Sequence, residues 1–236
     1  MHAVVPFTEA CAEHGVRPIY GAELTGGDGP TFLRAVLLAR NRAGYSEISR
    51  LVTRRRLDGD FDFGEALAGV SGDVYVLVSH HLLMTRLRHL ENLRAALPVA
   101  PGRDRDRERW RISDAARRLG VETVAAGAVY FLGEKEHLVH RVLTAIRTRT
   151  TIGTLPRGEA AERDSFFHAP ESVERVFAAD PGPVAEAARI AADCRVDLDL
   201  GRRRLPEFPL PPGEEASATL RRIALRGLRE RMGDGL

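Results

Sequence analysis

Val74-Tyr75-Val76-Leu77-Val78, followed at once by Ser79-His80-His81, decides how this chain is read. Five unbroken apolar residues rich in β-branched valine are too short for a buried helix. They also lack the alternation of a half-solvated strand, so they read as a strand covered on both faces. Working outward, residues 6–14 read as a short helix ended by Gly15, and residues 18–22 as a strand that leaves Glu23 at its carboxyl end. Residues 25–30, with three glycines, read as a turn before a second strand at 35–39. Tyr45, Ile48, Leu51 and Val52 then fall at helical spacing, and Arg54, Arg55 and Arg56 crowd the last turn, where cations complement the helix dipole.

Beyond the central strand, residues 82–97 read as helix, 98–109 as an exposed loop rich in Pro, Gly and alternating Arg and Asp, and 112–119 as a helix feeding a strand at 122–126. Strand and helix alternate, which predicts an α/β fold with a parallel sheet or barrel and helices outside. Functional groups would then gather at the carboxyl ends of the strands. After Phe131 the pattern is mainly helical, over 134–148, 172–177 and 183–194. This reading divides the chain into an α/β domain over 1–132, a helical segment over 133–200, and a proline-rich connector with the start of a further region over 201–236. Leu205-Pro-Glu-Phe-Pro-Leu-Pro-Pro-Gly213 is the connector. A last amphipathic helix over 216–232 carries Leu220, Ile223, Ala224, Gly227 and Leu228 on one face, which predicts that more protein or a partner covers it.

The composition suits a globular chain. Its 236 residues are 44% hydrophobic, enough for a substantial core, and no apolar run approaches the roughly 20 residues of a membrane span. The start has neither a basic nor an apolar leader region, so the cytoplasm is the expected location and no membrane partner is expected. Cys11 and Cys194 lack any C-x-x-C spacing and read as small buried hydrophobes. A net charge of +2 does not by itself point to nucleic acid. Lys135 is the only lysine, so the positive charge is almost wholly arginine.

Several stretches, in order, resemble the alpha subunit of bacterial DNA polymerase III and its error-prone relatives. They are Arg17-Pro-Ile-Tyr-Gly-Ala-Glu-Leu24, Leu37-Leu-Ala-Arg-Asn-Arg-Ala-Gly-Tyr45, and Leu119-Gly-Val-Glu-Thr-Val-Ala-Ala-Gly-Ala-Val-Tyr-Phe-Leu132. His140-Arg-Val-Leu-Thr-Ala-Ile-Arg147, Phe167-His-Ala-Pro-Glu171, the proline-rich connector and Leu220-Arg-Arg-Ile-Ala-Leu-Arg-Gly-Leu228 follow in step. No one string is decisive; their order and spacing over nearly the whole chain are specific.

The resemblance implies a PHP (polymerase and histidinol phosphatase) domain, a distorted β/α barrel, here truncated and irregular, followed by a helical stretch leading to the palm. Active PHP domains hold up to three divalent metals on clustered His, Asp, Glu and Cys side chains and activate water for phosphoester hydrolysis. By the resemblance, Glu23 matches a ligand glutamate, and His80, or its neighbour His81, matches a further ligand. The family's Asp-x-His pattern falls on Ala128 and Tyr130, neither of which can replace the original ligand, so these are expected as lost ligand positions. The opening His-x-His motif and a later Asp-His pair would fall before Met1, and the catalytic palm aspartates beyond Leu236. The segment from Leu90 to Arg111 also looks short against the family, as if a strand were lost.

The expected function is therefore a truncated PHP-like region of a DNA-directed DNA polymerase, tied to DNA replication or translesion synthesis, itself non-catalytic and structural. No cofactor is expected, and a divalent metal (zinc, manganese or magnesium) only if the PHP site survives. One alternative is a metal-dependent phosphoesterase or 3′–5′ exonuclease of the PHP type using Glu23 and His80; another is a non-catalytic module binding other replication proteins. Expected partners are those proteins or the remaining polymerase region. A weak contact with DNA would run through phosphate contacts of Arg54, Arg55, Arg56, Arg202, Arg203 and Arg204. Charge runs are more often solvated faces. His137 and His140 share the i, i+3 spacing of a helical face, which reads more simply as solvated than as metal-binding.

Overall fold

Among the described residues, five strands form one mixed sheet in the order β1-β2-β3-β4-β5: Gly21–Gly26, Leu33–Ala39, Val74–Val78, Leu93–Leu97 and Glu122–Ala125. The computed structural model describes residues 3–26, 33–156, 158–201, 208–210 and 212–233. Helices α1 (Val4–Glu13), α2 (Arg42–Leu57), α3 (Phe63–Ala68), α4 (His81–Leu87) and α5 (Arg103–Leu119) are interleaved with the strands. After β5 come a 3-10 turn at Glu134–Glu136 and helices α6 (His137–Thr148), α7 (Pro170–Val176), α8 (Gly182–Asp193) and α9 (Ala216–Met232). The chain divides into two compact units, residues 1–198 and 199–236.

The α/β reading holds, but the sheet is not a parallel one throughout. β1 with β2 and β2 with β3 run antiparallel; only β3-β4-β5 is parallel. The six positions between β1 and β2 are too few for the dozen or more residues of a parallel crossover, and strands so closely joined pair antiparallel. Nor is a closed barrel present: the described residues show no pairing between β1 and β5, and the sheet stays open.

β3 is buried along its whole length, as its composition predicts, and its side chains divide by the strand period of two. Val74, Val76 and Val78 enter a large core with Ile48 and Leu51 of α2, Leu67 of α3, Leu83, Met84 and Leu87 of α4, and Ile112 and Ala116 of α5. Tyr75 and Leu77 point to the other face, where Val124 of β5 and Ile190 with Cys194 complete a second core. Thus α8, far along the chain, covers the face that the first five helices leave bare. Its hold is partly ionic. Arg94 of β4 is 7% exposed, and its guanidinium meets Glu186 of α8 at 2.6 Å and Glu122 at 3.0 Å while donating to the carbonyls of Glu91 and Leu93. Both cysteines are free and buried.

Several expected elements need correction. Residues 82–97 are not one helix: α4 ends at Leu87, and β4 follows a turn at 88–92. A strand, β4, is therefore present between Leu90 and Arg111. Residues 98–109 are not all loop, because α5 begins at Arg103, with Gly102 as its N-cap and Asp104 and Asp106 in the first turn, where carboxylates favour a helix start. The alternating charges pair at helical spacing, Arg105 with Glu108, Arg107 with Asp104 and Arg109 with Asp106. Thr25 and Gly26 belong to β1 rather than to the glycine turn, whose remaining residues 27–30 lie outside the described residues. Of the connector, residues 205–207 and 211 lie outside them too. The last helix has its expected bounds. Among the described residues no helix is long and apolar enough to cross a membrane.

Candidate functional site

The three parallel strands end on the same side of the sheet, where polar groups collect beyond the carboxyl ends of such strands. A cleft of about 1010 Å³ opens there, walled by 98–100 after β4 and 126–128 after β5. Glu23 of β1 lines the same cleft, so a residue of one edge strand and the loop after the other share one space. Ala128 and Tyr130 also line it, which brings three sequence-predicted positions together: the carboxylate expected as a ligand and the two positions expected to have lost theirs.

Glu23 does not sit at a strand end. It is the third of six residues in β1, opposite Val36. Arg34 faces Thr25, one diagonal step away on the same side of the pair, and its Nε lies 3.5 Å from Glu23 Oε1. The carboxylate thus already has a guanidinium beside it. Ala128 offers a metal no donor atom and Tyr130 only a phenol, whereas a catalytic zinc site needs at least three protein ligands. No group of three His, Cys, Asp or Glu side chains suited to a metal occurs among the described residues. Arg34 escapes notice in the sequence because the turn of 25–30 hides the register between the two strands.

His80 is not in this cleft. It lines a neighbouring recess of about 560 Å³ with His81, Arg111 and Arg34, and among the described residues Arg34 is the one that lines both spaces. Adjacent residues at a strand end would point to opposite sides, yet the two rings stack with centroids 4.8 Å apart, because the chain turns into α4 at His81. His80 caps that helix, its Nδ1 accepting from the Leu82 N–H at 3.3 Å. Burial, and then the neighbouring His81, push the His80 imidazole below its ordinary pKa.

The remaining cleft wall comes from residues 158–168, strapped down by polar contacts. Tyr130 N–H donates to the Ser165 carbonyl and Phe167 N–H to the Phe131 carbonyl. Arg105 grips Asp164 through two bonds, at 2.6 and 2.8 Å, and holds its carboxyl below the ordinary range. His137 Nε2 donates to the carbonyl of Ala161, while His140 Nε2 accepts from the Ala161 N–H at 3.0 Å. Both histidines therefore hold the strap, and their face of α6 is covered rather than solvated. Burial first, then His137, lowers the His140 pKa, in keeping with a neutral ring whose Nε2 is an acceptor.

Arg54 and Arg55 lie over the Phe61 ring at 5.9 and 5.8 Å, and Arg55 donates to the Thr25 carbonyl. Arg56 is exposed at the end of α2. Arg202, Arg203 and Arg204 lie outside the described residues.

No family model matches the chain. Individual proteins do, along 99% of its length. An alpha subunit of DNA polymerase III from Halalkalibacterium halodurans is 28% identical over 257 aligned positions, and one from Bacillus subtilis 23% over 255. An error-prone DNA polymerase from Mycobacterium tuberculosis is 26% identical over 266. This chain is similar to bacterial DNA polymerase III alpha subunits over nearly its whole length. It spans about a quarter of their length, 23% of the first two and 24% of the third, and fits the amino-terminal region of such a subunit.

Proposed function

We propose that this chain is a non-catalytic, structural PHP-like region of a polymerase alpha subunit of the replicative or error-prone type, in which an ion pair has taken the place of a metal centre. The observation that carries this reading is the Glu23–Arg34 pair in the cleft that also holds Ala128 and Tyr130. A cation entering there would face a guanidinium at 3.5 Å from its sole carboxylate of β1, and an alanine methyl and a phenol where the family supplies ligands. Without three anionic or imidazole ligands grouped on one point, and no three are so grouped among the described residues, no bound water is brought to a nucleophilic pKa.

The same residues do structural work. Arg34, Arg105 and Arg147 each carry a carboxylate partner across the cleft wall, Glu23, Asp164 and Glu159 respectively. The arrangement supports a strapped-down scaffold rather than a substrate pocket with free cations. Arg54 and Arg55, engaged with Phe61, support packing ahead of DNA-phosphate contact. Hydrolysis of a generic phosphoester with added manganese or zinc tests the reading, with Glu23→Ala beside wild type. No turnover above the metal-only control is expected in either; turnover in wild type that Glu23→Ala abolishes would establish a working hydrolase instead.

A further inference from the structure

Helix α5 carries more cation than it can pair. Each acid of the helix is taken by an arginine of the same helix: Asp104 by Arg107, Asp106 by Arg109, Glu108 by Arg105 and Asp114 by Arg118. Arg103, Arg111 and Arg117 are left with no ion pair among the described residues, and all three are exposed. Ile112 and Ala116 turn one face of the helix into the core, and the opposite face turns Trp110 to water. This ring, the only tryptophan of the chain, is 68% exposed, lines neither the cleft nor the recess, and meets no other ring and no guanidinium among the described residues. Seven residues make almost two helical turns, so Arg103 and Arg117 share the face of Trp110 and lie roughly 10 Å before and after it along the axis.

We propose that this face of α5 binds a single-stranded polynucleotide, one base stacking on the Trp110 indole while flanking phosphates meet Arg103 and Arg117. A flat aromatic ring between two unpaired guanidinium groups matches a ligand that alternates π faces with anions. A protein partner matches less well. One turn from Trp110 stand Asp106, Arg107 and Asp114, so no apolar patch surrounds the ring, and covering it with an apolar surface would strip water from those charges. A duplex also matches less well, because its bases are already stacked on one another and present the helix with phosphates alone. The contact reads no base edge, so it is indifferent to sequence, and with so few phosphates engaged it is weak and sensitive to salt. It lies apart from the cleft and does not depend on whether a metal binds there.

Titration of the full chain with oligodeoxythymidylate at low salt tests this, because the only indole of the chain reports on its own stacking. Tryptophan fluorescence is expected to be quenched, and a duplex of the same length to quench far less. By anisotropy of a labelled strand, Trp110→Leu, which keeps apolar bulk and loses the π face, should weaken binding about tenfold, while Trp110→Phe should retain most of it. Arg103→Ala and Arg117→Ala should each reduce the slope of log affinity against log salt by about 0.7. All four variants sit at exposed positions, so circular dichroism and melting temperature should match wild type. Absence of quenching and of binding at low salt would overturn the proposal and leave Trp110 to a different partner. Binding that survives Trp110→Leu and both arginine variants, or that is as strong with duplex, would overturn it equally, since the strand would then lie elsewhere on the chain.

Discussion

Arg34 Nε stands 3.5 Å from Glu23 Oε1 across the first two strands, a diagonal neighbour made by pairing Arg34 with Thr25. The pair is part-exposed, so it decides chemistry more than stability. Arg34→Ala and Glu23→Gln should each move the stability by only about 0–1 kcal/mol, because solvent screens such pairs. Urea denaturation followed by circular dichroism measures this.

A buried counterpart should behave differently. Arg94 joins β4 to α8 through Glu186, and both side chains are largely withdrawn from water. Removing one partner breaks the buried bond and leaves Arg94 to Glu122, or Glu186 to Arg189, so Glu186→Ala should cost about 1–3 kcal/mol, and Arg94→Ala as much or more. Replacing both, as Arg94→Met with Glu186→Leu, should recover much of the loss. Denaturation midpoints of the single and double variants separate these outcomes.

The same contacts predict acid sensitivity. Arg189 first and Arg94 second hold the Glu186 carboxyl below its ordinary pKa, and the Tyr75 hydroxyl with Arg40 does so for Asp193. Folded values lie below unfolded ones, so the unfolded chain binds more protons in the window between them. The stabilisation is complete above the ordinary carboxylate range and is lost as pH falls through the folded values. Melting temperature should therefore drop between about pH 5 and about pH 3, and Glu186→Gln with Asp193→Asn should flatten that drop.

Cys194, at the end of α8, should be inert in the native chain. Burial, and then Asp193, push its thiol up to about 11, so little thiolate exists at neutral pH and none is accessible. Alkylation at mildly alkaline pH should leave Cys194 unmodified until denaturant is added, as peptide mass spectrometry would show.

Gly44 in the first turn of α2 faces the Asp73 carbonyl so closely that an added methyl group would overlap it. Backbone cannot swing aside as a side chain can, so Gly44→Ala should destabilise by about 1–3 kcal/mol. Thermal unfolding checks it, with Gly59→Ala, which meets open space, as the control.

What could be read without coordinates follows the range of the forces involved. The buried strand at Val74–Val78 and the amphipathic helices α2 and α9 are local patterns, and the sequence carries them plainly. β4 hid because Leu83, Leu87, Leu90, Leu93 and Leu97 keep helical spacing through a helix, a turn and a strand. The start of α5 hid because alternating Arg and Asp look like a solvated loop until their i, i+3 pairing is seen. Glu23, Ala128 and Tyr130 were found through a resemblance and do share a cleft; His80, found the same way, lies in the next recess. Arg34 and the Arg105–Asp164 clamp depend on register and on contacts 59 residues apart, for which no local signal exists.

The most direct test of the central claim is the divalent metal content of the purified chain by mass spectrometry, after exposure to zinc and manganese and removal of excess, for wild type and Glu23→Ala. The account predicts well below one ion per chain in both, with no difference between them. One or more ions per wild-type chain, lost in Glu23→Ala, would contradict it, because Glu23 would then be ligating a metal rather than answering Arg34.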